Sequence, residues 1–215
     1  MKLQTETAKK LRNLAVLLLC VPVLSGCFGA AAVGVGTGAL MLTDRRNSET
    51  FVSDEGMELR ASSRISEKYG EKAHVNVISY NRMLLLTGEV PSEAAKADVE
   101  KIASGVPNVK SITNELAVAG PSGFGVRGND AYITSKIKAR FIDHDKFAAN
   151  HVKVITEAGV VFLLGLVTQQ EADDAVEIAR TTGGVQKVVR VFEIISPAQA
   201  KALDNPPPGS QKQGK

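Results

Sequence analysis

Cys27 is the residue whose position in this 215-residue chain says most about its chemistry. It closes the tetrapeptide Leu24-Ser25-Gly26-Cys27 at the end of an apolar run over residues 14–24. Four basic residues precede that run: Lys2, Lys9, Lys10 and Arg12. A basic start, a short apolar run and small residues at its end are typical of a secretory signal and not of a membrane-spanning helix.

The tetrapeptide that ends at Cys27 resembles the lipobox of bacterial lipoproteins. The resemblance implies that residues 1–26 are removed and that Cys27 begins the mature chain, with lipid on its sulfur and its amino group. It also implies an outer-membrane location with the body on the periplasmic face, because Phe28 stands where an aspartate would hold a lipoprotein at the inner membrane. The alternative is an ordinary signal peptide with a chance cysteine.

The charge of the chain changes once the predicted signal is removed. The full sequence has 26 basic and 23 acidic residues, and residues 1–26 contain four of the basic and one of the acidic, which leaves 22 of each. A balanced charge gives no reason to expect nucleic-acid binding. Cys20 leaves with the signal, so Cys27 has no disulfide partner and stability must come from hydrophobic cores.

An internal repeat follows, and it predicts the fold. Val75-Asn76-Val77-Ile78-Ser79 is similar to Val152-Lys153-Val154-Ile155-Thr156, and Met83–Val90 is similar to Val160–Val167 at the same spacing of 77 residues. Upstream, Ser63-Arg64-Ile65 is similar to Ser135-Lys136-Ile137 at a spacing five residues shorter. We therefore expect an insertion in the second copy near residues 143–150.

Each copy is predicted to be an α+β unit of order αββαβ. Apolar residues recur at helical spacing over residues 54–69 and 129–142, where Asn129 or Asp130 could cap the helix, and short β-branched runs follow. Each unit should hold a three-stranded mixed sheet with two helices on one face. The central strands are apolar on both faces, so we expect the two sheets to face each other at least partly.

These patterns divide the chain into six segments. Residues 27–50 and 120–128 are glycine-rich or polar, and residues 205–209 contain three prolines, so these regions are predicted to be irregular. The predicted segments are a signal peptide (1–26), an acylated N-terminus and flexible tether (27–50), a first unit (51–119), a linker (120–128), a second unit (129–196) and a disordered tail (197–215).

The paired units resemble the BON-domain proteins. The resemblance lies in the patterns Leu86-Thr87-Gly88-Glu89-Val90 and Leu163-Leu164-Gly165-Leu166-Val167, and in the helix endings that follow each of them. It implies a non-enzymatic αββαβ module that binds phospholipid and supports envelope integrity. It also implies that the lipid contact lies on the first helix of the second unit.

The residues of that helix offer a candidate contact with anionic phospholipid. Tyr132, Lys136 and Arg140 fall at i, i+4 and i+8, and Lys138 lies on a flank. Tyrosine prefers the headgroup level, and each cation near an anionic surface contributes about 1 kcal/mol. The matching helix of the first copy carries charges of both signs that roughly cancel. The alternative is a solvated helix face, which charge runs usually are.

No pattern predicts catalysis, a metal or a cofactor. The chain has no Gly-x-Ser-x-Gly motif, and the adjacent side chains of Asp143, His144 and Asp145 cannot converge on one ion without further ligands. His74 and His151 occupy nearly equivalent repeat positions and are expected to be structural or solvated. The leading hypothesis is a phospholipid-binding lipoprotein. The alternative is a protein-binding adaptor for envelope assembly, division or peptidoglycan remodelling.

Overall fold

The computed structural model describes residues 44–205, which form two successive α+β units and a final helix. The first unit comprises α1 (Ser48–Tyr69), β1 (His74–Tyr80), β2 (Met83–Val90), α2 (Glu93–Ser104), β3 (Ser111–Asn114) and β4 (Ala117–Val118). The second comprises α3 (Phe124–Asp143), β5 (Lys153–Glu157), β6 (Val160–Val167), α4 (Gln169–Arg180) and β7 (Lys187–Ile194), and α5 (Pro197–Asp204) follows it. The predicted signal peptide and Cys27 lie outside the described residues.

The predicted αββαβ order and mixed sheets are confirmed. Strands β1 and β2 pair antiparallel, and β2 pairs parallel with both β3 and β4. In the second unit β5 and β6 pair antiparallel, and β6 pairs parallel with β7. The first sheet has four strands, not three, because its third position is split where Leu116 turns into the core and its amide donates to Asn114 Oδ1 over 3.2 Å.

Both hairpins turn through two residues in the left-handed region. Asn81 and Arg82 have φ of 50° and 68°, and Ala158 and Gly159 have φ of 47° and 77°. Two central residues with positive φ give the turn that suits the right-handed twist of a two-residue hairpin.

A buried aspartate from the preceding helix holds each turn. Asp54 accepts hydrogen bonds from the amides of Asn81 and Arg82, both at 2.8 Å. Asp130 accepts from the amides that follow β5, also at 2.8 Å. The expectation that Asn129 or Asp130 caps its helix is therefore wrong, because α3 begins at Phe124 and Asp130 lies inside it.

The aspartates also set the true register between the two copies. The buried residues Asp54, Met57, Ala61 and Ile65 correspond to Asp130, Ile133, Ile137 and Phe141, each 76 residues later. The predicted five-residue insertion is therefore wrong, since the strand spacing of 77 exceeds the helix spacing by one. The similarity of residues 63–65 to 135–137 is one helical turn out of register, which a pattern repeating every four residues easily permits.

Each sheet packs its helices on one face, as expected. Side chains at alternate positions of β2 and β6 point to the helices: Leu84, Leu86 and Val90 in the first unit, and Val161, Leu163 and Val167 in the second. The opposite faces of the two sheets meet in one shared cluster: Ile78, Tyr80 and Leu85 with Phe162, Leu164, Leu166 and Val191. The prediction that the two sheets face each other is confirmed.

Three predicted irregular segments contain helix. Residues 48–50 begin α1, where the Asn47 side chain accepts from the amide of Thr50 at 2.7 Å. Residues 124–128 of the predicted linker form the start of α3, which Gly125 and Gly128 obscured because glycine disfavours helix. Residues 197–204 of the predicted tail form α5, which the Ser196 side chain caps.

Arg45 fastens the segment before α1 to the second unit. Arg45 is 4% exposed, and its guanidinium donates to Leu166 O, to Glu171 and to Asp204, all at 2.8–2.9 Å. Burial raises the pKa of Glu171, but the hydrogen bonds from Arg45 and Thr168 outweigh it and lower that pKa to about 2. These contacts, which we call the Arg45 clasp, join the segment before α1 to helices α4 and α5.

Candidate functional site

Helix α3 has a buried inner face and an exposed outer face. Ile133, Ile137 and Phe141 are buried against the sheet. On the other side Phe124 is 93% exposed, Tyr132 62% and Ile142 74%. Large apolar side chains that stay this exposed on one helix need an explanation beyond the core of the unit.

Phe124, Tyr132 and Ile142 belong to one continuous line, which we call the outer stripe; Val126, which is 44% exposed, lies on another side of the helix. Six members recur every three or four residues, Tyr132 lies beside Ala131, and all are apolar or small: Phe124, Gly128, Ala131, Tyr132, Ser135, Ala139 and Ile142. All seven are exposed. At 1.5 Å per residue the stripe is about 27 Å long.

Two of the four predicted lipid-binding residues lie together, Tyr132 within this stripe and Lys136 at its edge. The Lys136 ammonium sits 4.5 Å from the centroid of the Tyr132 ring, within the range of a cation–π contact. The same ammonium donates to the carbonyl of Gly183. Lys138 is exposed, and it lies about 200° further around the helix than Lys136, on the other side of the stripe.

The fourth predicted residue, Arg140, has a structural task. Its guanidinium donates to the carbonyl of Ile178 at 2.6 Å and to the hydroxyl of Thr182 at 2.7 Å, at the C-terminal end of α4. Arg64 donates likewise to the carbonyl of Gly105 at 3.0 Å in the first unit. Cations at a helix C-terminus satisfy its last carbonyls, so Arg140 has a structural role at the end of α4, as Lys136 has through Gly183. The lipid contact of Arg140 stays a prediction.

Sequence reasoning missed Phe124 and Ile142, the two most exposed large apolar residues of the stripe. Phe124 falls in the predicted linker, and Ile142 falls at the predicted end of the helix. The spacing of 124, 128, 131, 135, 139 and 142 follows the helical period and could have identified them, had the helix been extended back through the glycines.

The histidines fall in different environments. His151 is 8% exposed, and burial together with the charge of Arg45 lowers its pKa. His74 Nδ1 lies 2.9 Å from Glu89 Oε2. His144 lies at the end of α3 beside the ring of Phe147, with centroids 5.8 Å apart.

Within residues 44–205 no helix has both the length and the apolar character needed to cross a bilayer.

Comparison with known proteins agrees with the two-unit architecture. The BON domain family matches residues 58–120 and again 129–196. The chain is 36% identical to the outer membrane lipoprotein DolP of Haemophilus influenzae over 191 residues, which are 88% of this chain and 99% of that protein. It is also 36% identical to a 21 kDa hemolysin of Actinobacillus pleuropneumoniae, over 71% of this chain and 79% of the relative.

A third relative is the osmotically-inducible protein Y of Escherichia coli, which is 32% identical over 64% of this chain and 71% of its own length. Two matched family segments and three relatives of this extent decide the classification. The chain belongs to the BON domain family and carries two BON domains, which are the two units described above.

Proposed function

We propose that this chain is an outer-membrane lipoprotein, anchored through Cys27 and facing the periplasm, that binds anionic phospholipid through α3 of its second BON domain. In this role it supports the integrity of the cell envelope. The proposal has two parts, the anchor and the lipid contact, which rest on different observations and need separate tests.

The anchor is supported by the sequence around Cys27 and by a relative. Leu24-Ser25-Gly26-Cys27 has the lipobox pattern, and the similar protein of Haemophilus influenzae is an outer membrane lipoprotein. Several acyl chains on one residue give stable attachment, where a single chain gives only marginal binding.

The observation that carries the lipid contact is the exposure of Phe124, Tyr132 and Ile142 along one stripe of one helix. An exposed aromatic and aliphatic line on a helix that lies in the headgroup plane gains free energy by leaving water. Lys136 and Lys138 flank the stripe on its two sides, where each contributes about 1 kcal/mol against an anionic surface. The small residues Gly128, Ala131 and Ala139 let the helix backbone approach the surface closely.

A Cys27→Ala change tests the anchor. The protein should accumulate as an uncleaved precursor or leave the membrane fraction, because no thiol is available for acylation. Fractionation of cells followed by a salt wash measures this. Cys20→Ala is the matched control and should stay with the outer membrane. If the Cys27→Ala protein also stays there after the wash, the anchor lies elsewhere.

Flotation with vesicles tests the lipid contact, using the unacylated chain of residues 28–215 so that its own lipid does not carry it. Phe124→Ser with Ile142→Ser places on α3 the serines that α1 has at the equivalent positions, Ser48 and Ser66. This double change should abolish flotation with phosphatidylglycerol vesicles and leave the melting temperature unchanged.

The matched control removes two exposed apolar residues from α1. Val52 and Leu59 are 64% and 72% exposed, so Val52→Ser with Leu59→Ser removes comparable surface and should keep flotation. Lys136→Glu with Lys138→Glu should reduce it, and added salt should weaken wild-type binding. The proposal would be contradicted by equal binding to neutral vesicles, or by an equal loss of flotation in the α1 and α3 double changes. Either result would favour the protein-binding adaptor.

A further inference from the structure

A polar site lies between the two BON domains, apart from the outer stripe. It consists of His74 on β1, Glu89 on β2 and Glu157 at the end of β5, which we call the interdomain cluster. One potential ligand atom from each side chain lies within 4.8 Å of the others. His74 Nδ1 is 2.9 Å from Glu89 Oε2 and 3.8 Å from Glu157 Oε1.

The second domain shows that the fold does not require these polar residues. At the strand spacing of 77, His74 corresponds to His151, but Glu89 corresponds to Leu166 and Thr87 to Leu164. These two leucines of the second domain lie in the apolar core that the two sheets share. The first domain therefore buries Thr87 and Glu89 where the second domain buries leucines. Burying polar groups costs desolvation free energy, which a bound ligand would offset.

The cluster has more negative than positive charge. The side chains of Glu89 and Glu157 are only 7% and 11% exposed, and within residues 44–205 their one ion-pair partner is His74. Two buried carboxylates that share one imidazole leave an unbalanced negative charge, which a cation would neutralise.

Thr87 gives a second and independent observation at this site. It is fully buried, and within the described residues its hydroxyl has no hydrogen-bond partner. Thr87 lies two residues before Glu89, so both side chains project from the same face of β2. It also lies opposite Asn76, whose amide donates to Glu157 Oε2 at 2.7 Å. An unpaired buried hydroxyl beside the cluster suits an ion that carries a bound water.

We propose that the interdomain cluster binds one divalent transition-metal ion, of which Zn²⁺ is the type, through His74, Glu89 and Glu157. Imidazole nitrogen and carboxylate oxygen are both ordinary zinc ligands. Bonds of about 2.0–2.1 Å in a tetrahedral site place ligand atoms about 3.3 Å apart, and the two measured separations from His74 Nδ1 lie on either side of that value. The fourth ligand is a water, which Thr87 can bind.

Local structure holds these ligands in place. His74 and Glu89 are paired across β1 and β2, and Gly88 lets the strands meet because a Cβ there would lie 2.0 Å from the carbonyl oxygen of His74. Asn76 orients Glu157. Because the ligands come from both domains, the ion fastens the first sheet to the second. This role is independent of lipid contact on α3.

Zinc binding to the full-length chain in detergent tests the proposal. The protein is purified with a tag that lacks histidine, stripped with EDTA, incubated with ZnCl₂ and passed through a desalting column. We expect one zinc per chain by elemental analysis and a rise in melting temperature. Glu157→Gln and Glu89→Leu should each lose the zinc and the rise. Glu89→Leu copies Leu166, so the fold has a precedent for it.

Controls separate this site from surface binding. His144→Asn removes the histidine of the exposed Asp143-His144-Asp145 group and should keep both zinc and the melting rise. Asn76→Ala should weaken zinc affinity about 10–100-fold, the usual effect of removing a group that orients a ligand. Phe124→Ser with Ile142→Ser should leave zinc binding unchanged. Less than stoichiometric zinc in the wild type, full zinc in Glu157→Gln, or loss of zinc in His144→Asn would overturn the proposal.

Discussion

Helices α1 and α3 hold equivalent places in the two BON domains, and they agree on one face and differ on the other. Their inner faces match position by position, from Asp54 and Asp130 at the hairpins to Ile65 and Phe141. On the outer face, α3 has Phe124, Tyr132 and Ile142 where α1 has Ser48, Gly56 and Ser66. The inner face is fixed by the sheet it covers, whereas the outer face can acquire a separate task.

The same contrast applies between the sheets. The helix-facing sides of β2 and β6 are both apolar, but on the interdomain side Thr87 and Glu89 replace Leu164 and Leu166. Each domain thus has one surface that differs from the equivalent surface of the other domain. In the second domain it is the outer face of α3, and in the first it is the side of β2 that faces the other sheet.

The largest expected effect comes from a charge on the shared inner face. Ile137 and Ala61 are equivalent and fully buried, so Ile137→Glu and Ala61→Glu each bury an unpaired carboxylate, at a cost of several kcal/mol. Circular dichroism with chemical denaturation should show that each change unfolds its domain at 25 °C. A domain that stays folded after the change would show that the sheet does not restrict the inner face of its helix to apolar residues.

Arg45→Ala should cost about 3–5 kcal/mol, because it removes the buried guanidinium that donates to both carboxylates and, within residues 44–205, leaves beside them only His151, at 3.8 Å from Glu171 and 3.4 Å from Asp204. The pKa of Glu171 is about 2, below its ordinary value of 4.5, and the Arg45 hydrogen bonds also lower the pKa of Asp204. Wild-type stability from these groups is therefore full above about pH 4.5 and falls as the pH falls toward 2. Urea unfolding at pH 7, 4 and 3 measures both effects.

The Arg45→Ala protein should lose less stability than wild type between pH 4.5 and 3, since its carboxylates no longer hold a depressed pKa. Exposed Arg180→Ala is the control and should follow the wild-type curve. A mutant curve parallel to wild type would show that the clasp does not set the acid sensitivity.

Gly88→Ala and Gly165→Ala should differ in a defined way. A Cβ at either position meets a histidine carbonyl oxygen, at 2.0 Å for His74 and 2.4 Å for His151, and overpacking costs about 1–3 kcal/mol. Gly88 also has φ of 107°, which adds about 1–3 kcal/mol for alanine. Thermal melts should rank Gly88→Ala as the more damaging change, and the reverse order would contradict this account.

The smallest expected effect concerns the capping arginines. Arg64→Ala and Arg140→Ala should each cost about 1 kcal/mol, the usual value of such a hydrogen bond at an accessible site. Neither change should alter vesicle flotation, because both guanidiniums face the second helix of their own domain. Loss of flotation in Arg140→Ala alone would return Arg140 to the lipid contact, as the sequence had predicted.

Much of the fold was predictable because it rests on local periodicity. The apolar runs Met83–Leu86 and Val160–Leu164, and the helical spacing of Ile133, Ile137 and Phe141, are properties of consecutive residues. The repeat itself, and the apolar character of both faces of the central strands, were enough to predict two αββαβ domains with facing sheets.

Tertiary structure decided the register of the helices, the hydrogen-bond partners of Arg140 and the partners of His74. A pattern that repeats every four residues looks the same after a shift of one turn, so only the contact of Asp54 and Asp130 with the hairpins fixes it. Glu157 is 83 residues from His74 in sequence, and only the stacking of the two sheets places them 3.8 Å apart. Local pattern determined the elements, and packing determined which side chains meet, because such contacts depend on distances that no sequence interval encodes.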